Sequence, residues 1–179
     1  MDPLTVSVTI GRPREEVFEY LADIANHAEF CDHYLTGWRL TREDTYGLGA
    51  GARFRVKVPP PLGRFAWGDA TFGEVDAPWR IVEAGRTGKF NRVRTLGVYT
   101  LEPQGAGATR VQFTLQTQPK TLADRILEAL GQRMWLRLQN GKAMRRLRDI
   151  LEGEERARGK RATIAGGPRK PATDTPLRA

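Results

Sequence analysis

Gly107-Ala108-Thr109-Arg110-Val111-Gln112-Phe113-Thr114-Leu115 opens on a glycine and then alternates apolar with polar, the period of a strand that turns one face to a core. An amphipathic stretch from Thr121 to Glu152 follows almost at once, so the chain closes strand then helix. Working back, Val6, Val8 and Ile10 alternate with Thr5, Ser7 and Thr9. The same reading predicts strands near Gly37–Arg42, Ala52–Val58, Phe65–Val75, Arg80–Arg86, Val93–Glu102 and Thr109–Gln118, with glycine, proline or asparagine in nearly every gap. Successive strands joined by hairpin turns imply an antiparallel meander with one apolar face. The 121–152 helix is the segment long enough to cover that face, so an α+β domain is expected whose sheet wraps the helix and leaves a cavity between them.

Local signals fill in the rest. Gly11-Arg12-Pro13 ends the first strand, and proline at a first helical turn followed by Glu15, Glu16, Val17, Phe18, Tyr20 and Leu21 predicts a short helix whose acids suit its positive end. A second short helix is expected over Ile24–Phe30. The final helix begins with a capping-box-like Thr121 and Asp124. Leu122, Ile126, Leu130, Met144, Leu147 and Leu151 then fall on one side at a helical period. Arg133, Arg137 and Asn140 project from within that apolar sector, and Gly131 and Gly141 sit in the helix interior, where each costs about 1 kcal/mol relative to alanine.

The 179 residues suit one folded domain over 1–152 and a tail over 153–179. Cys31 is the only cysteine, which excludes an internal disulfide and any zinc site built from several thiolates. His27, Cys31 and His33 lie close together, but no matching ligand cluster occurs elsewhere, and no metal or cofactor is expected. Gly47-Leu48-Gly49-Ala50-Gly51 lacks the lysine and hydroxyl of a phosphate loop and leads into a strand. The net charge is +8. From Gly153 onward seven basic residues stand against three acids, so the tail and the folded part carry +4 each. Poor in aromatics, the tail reads as a solvated, disordered extension, and the sequence weighs against a nucleic-acid partner. With no apolar run near 20 residues and no signal-peptide pattern at Met1-Asp2-Pro3-Leu4, a cytoplasmic location is expected.

Four landmarks in order carry a resemblance: Val6 to Phe18 with Asp23, the glycine-rich Gly49-Ala50-Gly51-Ala52-Arg53-Phe54, the Gly107 to Phe113 turn and strand, and Met144 to Glu152. Together they resemble the START-like, or SRPBCC, superfamily, and most closely its polyketide cyclase/dehydrase-like branch. The resemblance spans about residues 4–152. It implies a helix-grip fold, in which a seven-stranded antiparallel sheet curls around a long C-terminal helix with two short helices after the first strand. It implies function more loosely, since members bind lipids, sterols, polyketides or other hydrophobic molecules, some catalyse aromatisation or cyclisation, and some act as chaperone cofactors or ribosome-associated factors.

Strand parity supplies the candidate ligand-binding residues. Phe54, Val56, Trp67, Asp69, Thr71, Tyr99, Phe113 and Leu115 are placed toward the helix, with Leu130, Arg133, Met134 and Arg137 facing them. The turns Pro59–Gly63 and Thr87–Asn91 and the approach to the last helix at Pro119-Lys120 are expected to gather as a mouth. Arg64, Arg86, Lys89, Arg92 and Lys120 would ring it, with Leu62 and Phe90 as apolar contacts, which suits an acidic amphiphile or transient contact with an anionic membrane. The function expected is noncovalent binding of a hydrophobic or amphipathic small molecule. The alternatives are an aromatase/cyclase-like enzyme using Asp69, Tyr99 and Arg133 or Arg137 to polarise a carbonyl, and, more weakly, an RNA- or ribosome-associated module. Sequence leaves ligand, turnover and oligomeric state open.

Overall fold

The structure is a computed structural model. It describes residues 3–58, 65–105, 107–122, 126, 131–153, 162–164 and 167–168. Seven antiparallel strands, β1 (Leu4–Ile10), β2 (Leu35–Leu40), β3 (Gly51–Lys57), β4 (Phe65–Asp76), β5 (Arg80–Thr87), β6 (Val93–Pro103) and β7 (Thr109–Gln118), form a curled sheet. Their order is β1-β7-β6-β5-β4-β3-β2, a meander closed by pairing of the first strand with the last, as the alternation predicts. Two-residue strands β8 (Thr163–Ile164) and β9 (Gly167–Pro168) extend the β2 edge, and Ala162 beside them is buried against Ala25 and Ala28. This short stretch of the expected tail therefore adds to the sheet.

Helix α1 (Arg14–Ala22) begins after Pro13, whose φ of −56° is already close to helical, with Glu15 and Glu16 in the first turn. It buries Val17, Phe18, Tyr20 and Leu21. A 3-10 turn at Ile24–Asn26, capped by the Asp23 carboxylate accepting from Ala25 N, runs into α2 (His27–Cys31). The long helix α3 spans Arg133–Leu151 and buries Leu136, Asn140, Ala143, Met144, Leu147 and Ile150. Its end is tied to the β1–α1 turn, where Gly11 N donates to Glu152 Oε1 at 2.7 Å and Arg12 Nε donates to the Leu151 carbonyl at 2.8 Å. One core holds the layers together, with Ile10, Phe18, Phe30, Phe72, Ile81, Leu101, Met144 and Leu147 essentially fully buried.

Of the stretch expected as helix from Thr121, Leu122 and Ile126 are helical and α3 is described from Arg133; Gly131 before it has φ +105°, a left-handed value open to glycine. Leu130 and Asp124 lie outside the described residues.

Candidate functional site

A cleft lies between the concave sheet face and the helices after β1. Ile24, His27, Cys31, Tyr34, Leu35, Trp38, Phe54, Ala70, Glu83, Tyr99 and Phe113 line it, and it holds about 30 Å³ of space, room for about two waters. Small residues hollow it out. Ala70 sits on the concave face, and a side chain at Gly68 would meet Phe54 at 2.8 Å. Leu35 and Trp38 have opposite strand parity yet both reach the cleft, because a bulge between Thr36 and Arg39 holds Gly37 at φ +64° and shifts the register.

The polar groups here are unusual for so apolar a wall. Glu83 faces Gly97 across the β5–β6 ladder, and its carboxylate fills the room that the glycine leaves: a Cβ at position 97 would come within 2.5 Å of Oε1. Among the described residues the Glu83 carboxylate takes part in no ion pair or hydrogen bond. Burial without a countercharge pushes its pKa up to about 7. Tyr99, buried and stacked on Phe113 with centroids 4.5 Å apart, likewise has no hydrogen-bond partner for its hydroxyl among the described residues. Burial, then the neighbouring Glu83, raises its pKa well above the usual phenol value.

His27 is held by Nε2 at 2.8 Å from the Leu21 carbonyl, so the neutral ring donates there and keeps Nδ1 as its acceptor. Desolvation lowers its pKa to about 4 against a weaker raising effect of that hydrogen bond. Its ring packs within 5.5 Å of those of Phe30, Phe72 and Tyr99. The Tyr34 hydroxyl donates to Asn140 Oδ1 at 2.9 Å, and Asn140 Nδ2 donates to the Leu136 carbonyl, which fixes the cleft wall to α3. Cys31 is buried and its thiol pKa is pushed up, chiefly by desolvation. Below the cleft, Arg146 of α3 pairs with Asp32 and donates to the Glu29 carbonyl, pinning α2 to the covering helix. Among the described residues no three of His, Cys, Asp and Glu come together as a metal site, and no helix is long and apolar enough to cross a membrane.

Of the residues placed here by sequence parity, Phe54, Tyr99 and Phe113 line the cleft, while Val56 and Leu115 pack partly buried against the same core. Trp67, Asp69 and Thr71 are corrected to the outer face of the sheet. In β4 the residues turned inward are Gly68, Ala70 and Phe72, because the concave side opposite Phe54 has room only for small side chains at the first two. The larger Trp67 is left outside, and Asp69 Oδ1 accepts from Arg86 N at 2.8 Å on that face. Arg133, Met134 and Arg137 are exposed, Met134 at 62 %, because α3 meets the core along Leu136, Asn140, Ala143 and Leu147. Arg86, expected at the mouth, is exposed on the outer sheet face; Leu62 and Arg64 lie outside the described residues. His27, Cys31, Tyr34, Trp38 and Glu83 were not among the expected lining. Glu83 shares the parity of the fully buried Ile81, a lone acid on an apolar face, and that was the one signal available.

The comparisons agree with this architecture. The family described as polyketide cyclase/dehydrase and lipid transport matches residues 1–152. Similar solved structures include a protein from Thermus thermophilus (13 % identity, TM-score 0.64, covering 86 % of this chain and 99 % of that one) and one from Deinococcus radiodurans (21 %, 0.53, 84 % and 98 %). A START superfamily protein from Mycobacterium smegmatis is also similar (13 %, 0.56, 84 % and 97 %). At these identities the likeness is one of fold. No curated relative matches the chain at a significant level. With a helix-grip architecture, a cleft between sheet and helices, and a family match over 152 of its residues, the chain belongs to the polyketide cyclase/dehydrase and lipid-transport family.

Proposed function

We propose that this protein binds a hydrophobic or amphipathic small molecule in the cleft, with the molecule's body against Trp38, Phe54 and Phe113 and its polar end toward Glu83 and Tyr99. The observation that carries the reading is the pair of unpartnered polar groups in an otherwise apolar wall. Both groups face the cleft without a protein partner among the described residues, and a ligand carbonyl or hydroxyl would hydrogen-bond to them. With room for about two waters, the cleft would have to open by side-chain displacement to admit such a molecule. Phe90, 83 % exposed at the turn before β6, and Lys120 would carry any transient contact with an anionic membrane. A cytoplasmic location is part of the same reading.

One observation favours a second reading, the aromatase/cyclase-like enzyme. A carboxyl near pH 7 can protonate a carbonyl oxygen and, once ionised, remove a neighbouring proton; Glu83 takes that role in place of the expected Asp69, Arg133 and Arg137, which lie elsewhere. Native mass spectrometry of protein purified from its own cells tests binding first, the expected result being a co-purified apolar molecule lost in Ala70→Leu. Glu83→Gln then separates the readings. A carrier holds the same, chemically unchanged molecule, at equal or lower occupancy. An enzyme accumulates unconverted substrate.

A further inference from the structure

The outer face of the sheet carries a row of arginines that the cleft does not use. Cross-strand register places Arg39 beside Arg53, Arg53 beside Asp69, Asp69 beside Arg86 and Arg86 beside Arg94. One line thus runs over β2 to β6, about 19 Å at the usual strand spacing. All four arginines are exposed, and none takes part in an ion pair among the described residues. Asp69 interrupts the row, yet its Oδ1 accepts from the Arg86 backbone N–H at 2.8 Å rather than from a guanidinium.

Like charges directly opposite in an antiparallel pair are destabilising, and here Arg39–Arg53 and Arg86–Arg94 are two such pairs in one line. Beside the row the exposed Arg55 guanidinium lies over the rings of Phe65 at 4.7 Å and Trp67 at 5.1 Å, and Arg53 lies over Trp67 at 5.5 Å. The exposed Lys57 pairs with Phe65 across the same strands.

We propose that this face binds single-stranded nucleic acid, with backbone phosphates along the Arg39–Arg53–Arg86–Arg94 row and a base stacked on the Arg55, Phe65 and Trp67 platform. Guanidinium forks match phosphate oxygens in pairs. Aromatic and guanidinium planes on a sheet are a surface on which unpaired bases stack. A bilayer fits less well: among the described residues of this face the large exposed apolar groups are Phe65 and Leu96, against the exposed Arg39, Arg53, Arg55, Lys57, Arg86 and Arg94. The inference goes beyond the cleft's function and reverses the weight that the sequence placed against nucleic acid, because strand parity collects onto one face arginines that are scattered along the chain.

The test uses the full chain and fluorescence anisotropy with a labelled oligouridylate of about twelve nucleotides, within the site sizes of comparable binders. The triple variant Arg53→Gln, Arg86→Gln, Arg94→Gln is expected to bind at least about tenfold more weakly and to lower the slope of log affinity against log salt by about 2, at about 0.7 per lost phosphate contact. Trp67→Ala should weaken the oligouridylate but leave an abasic oligomer of equal length unchanged. Because the tail is also basic, equal binding by the triple variant and the wild type would overturn the proposal. So would binding to phosphatidylglycerol vesicles with none to the oligonucleotide, or equal effects of Trp67→Ala on both oligomers.

Discussion

Replacing Glu83 by glutamine keeps the shape of the side chain while removing its titration, and so isolates what the buried carboxyl does to the fold. In the folded protein its pKa moves from 4.5 to about 7, so between those values the native state binds more protons than the unfolded chain. Stability therefore falls as pH rises through that window and levels off above it. At about 1.4 kcal/mol per tenfold change, the full penalty for the ionised carboxylate is about 3 kcal/mol, reduced toward about 2 kcal/mol where the cleft admits water. Urea unfolding of wild type and Glu83→Gln at pH 4.5 and pH 8, buffer conditions that bracket the window, reads this directly. The variant should match the wild type at the acid end and exceed it by about 2–3 kcal/mol at the alkaline end. Other titrating groups, His27 included, cancel in the difference. A gap that stays the same at both pH values would refute the argument that the partly buried Glu83 lacks a countercharge.

His27 acts in the opposite direction: with its pKa lowered to about 4, the native state binds fewer protons than the unfolded chain, so stability is lost as pH falls from 6.5 toward 4. NMR should show its ring neutral at pH 5, and a titration near 6.5 would contradict its burial. Cys31, buried and with its thiol pKa raised, should resist aromatic disulfide reagents in the native protein and react at once in denaturant; fast native reaction would mean the α2 region opens readily. Tyr34→Phe removes the 2.9 Å bond to Asn140 and should cost about 1–2 kcal/mol in chemical unfolding, with no loss if water replaces the hydroxyl. Gly97→Ala sets a Cβ within 2.5 Å of Glu83 Oε1 and should displace that carboxylate; an unchanged Glu83 pKa, followed by NMR, would show the close approach to be unimportant.

Much of the fold was legible because hairpin-linked strands announce themselves by alternation. All seven strands fall within a few residues of their expected places, Pro13 marks the first short helix, and the second lies within its expected Ile24–Phe30 stretch to about one residue. The site was less legible, for two physical reasons. In β4 the sequence Phe65-Ala66-Trp67-Gly68-Asp69-Ala70 suggests large residues inward, whereas a concave face that must enclose a cleft takes the small ones, and a parity error moves every side chain to the other face. On the final helix, Arg133 and Arg137 are exposed although a helical period placed them in the apolar sector, because α3 meets the core along Leu136, Asn140, Ala143 and Leu147. Glu83 was hidden because its site is made by Gly97 on the neighbouring strand, and pairing register is not written in either strand alone.

Binding of a small apolar molecule in the cleft bounded by Trp38, Phe54, Ala70, Glu83 and Tyr99 is the central claim. The direct measurement is titration of the fluorophore anilinonaphthalene sulfonate and of any co-purified molecule into wild type and Ala70→Leu, with circular dichroism confirming that both are folded. Leucine at position 70 adds three carbons to a space of about 30 Å³, so affinity in the variant should fall at least about tenfold, or about 1.4 kcal/mol. Undiminished binding by folded Ala70→Leu would contradict the claim and move the ligand site elsewhere.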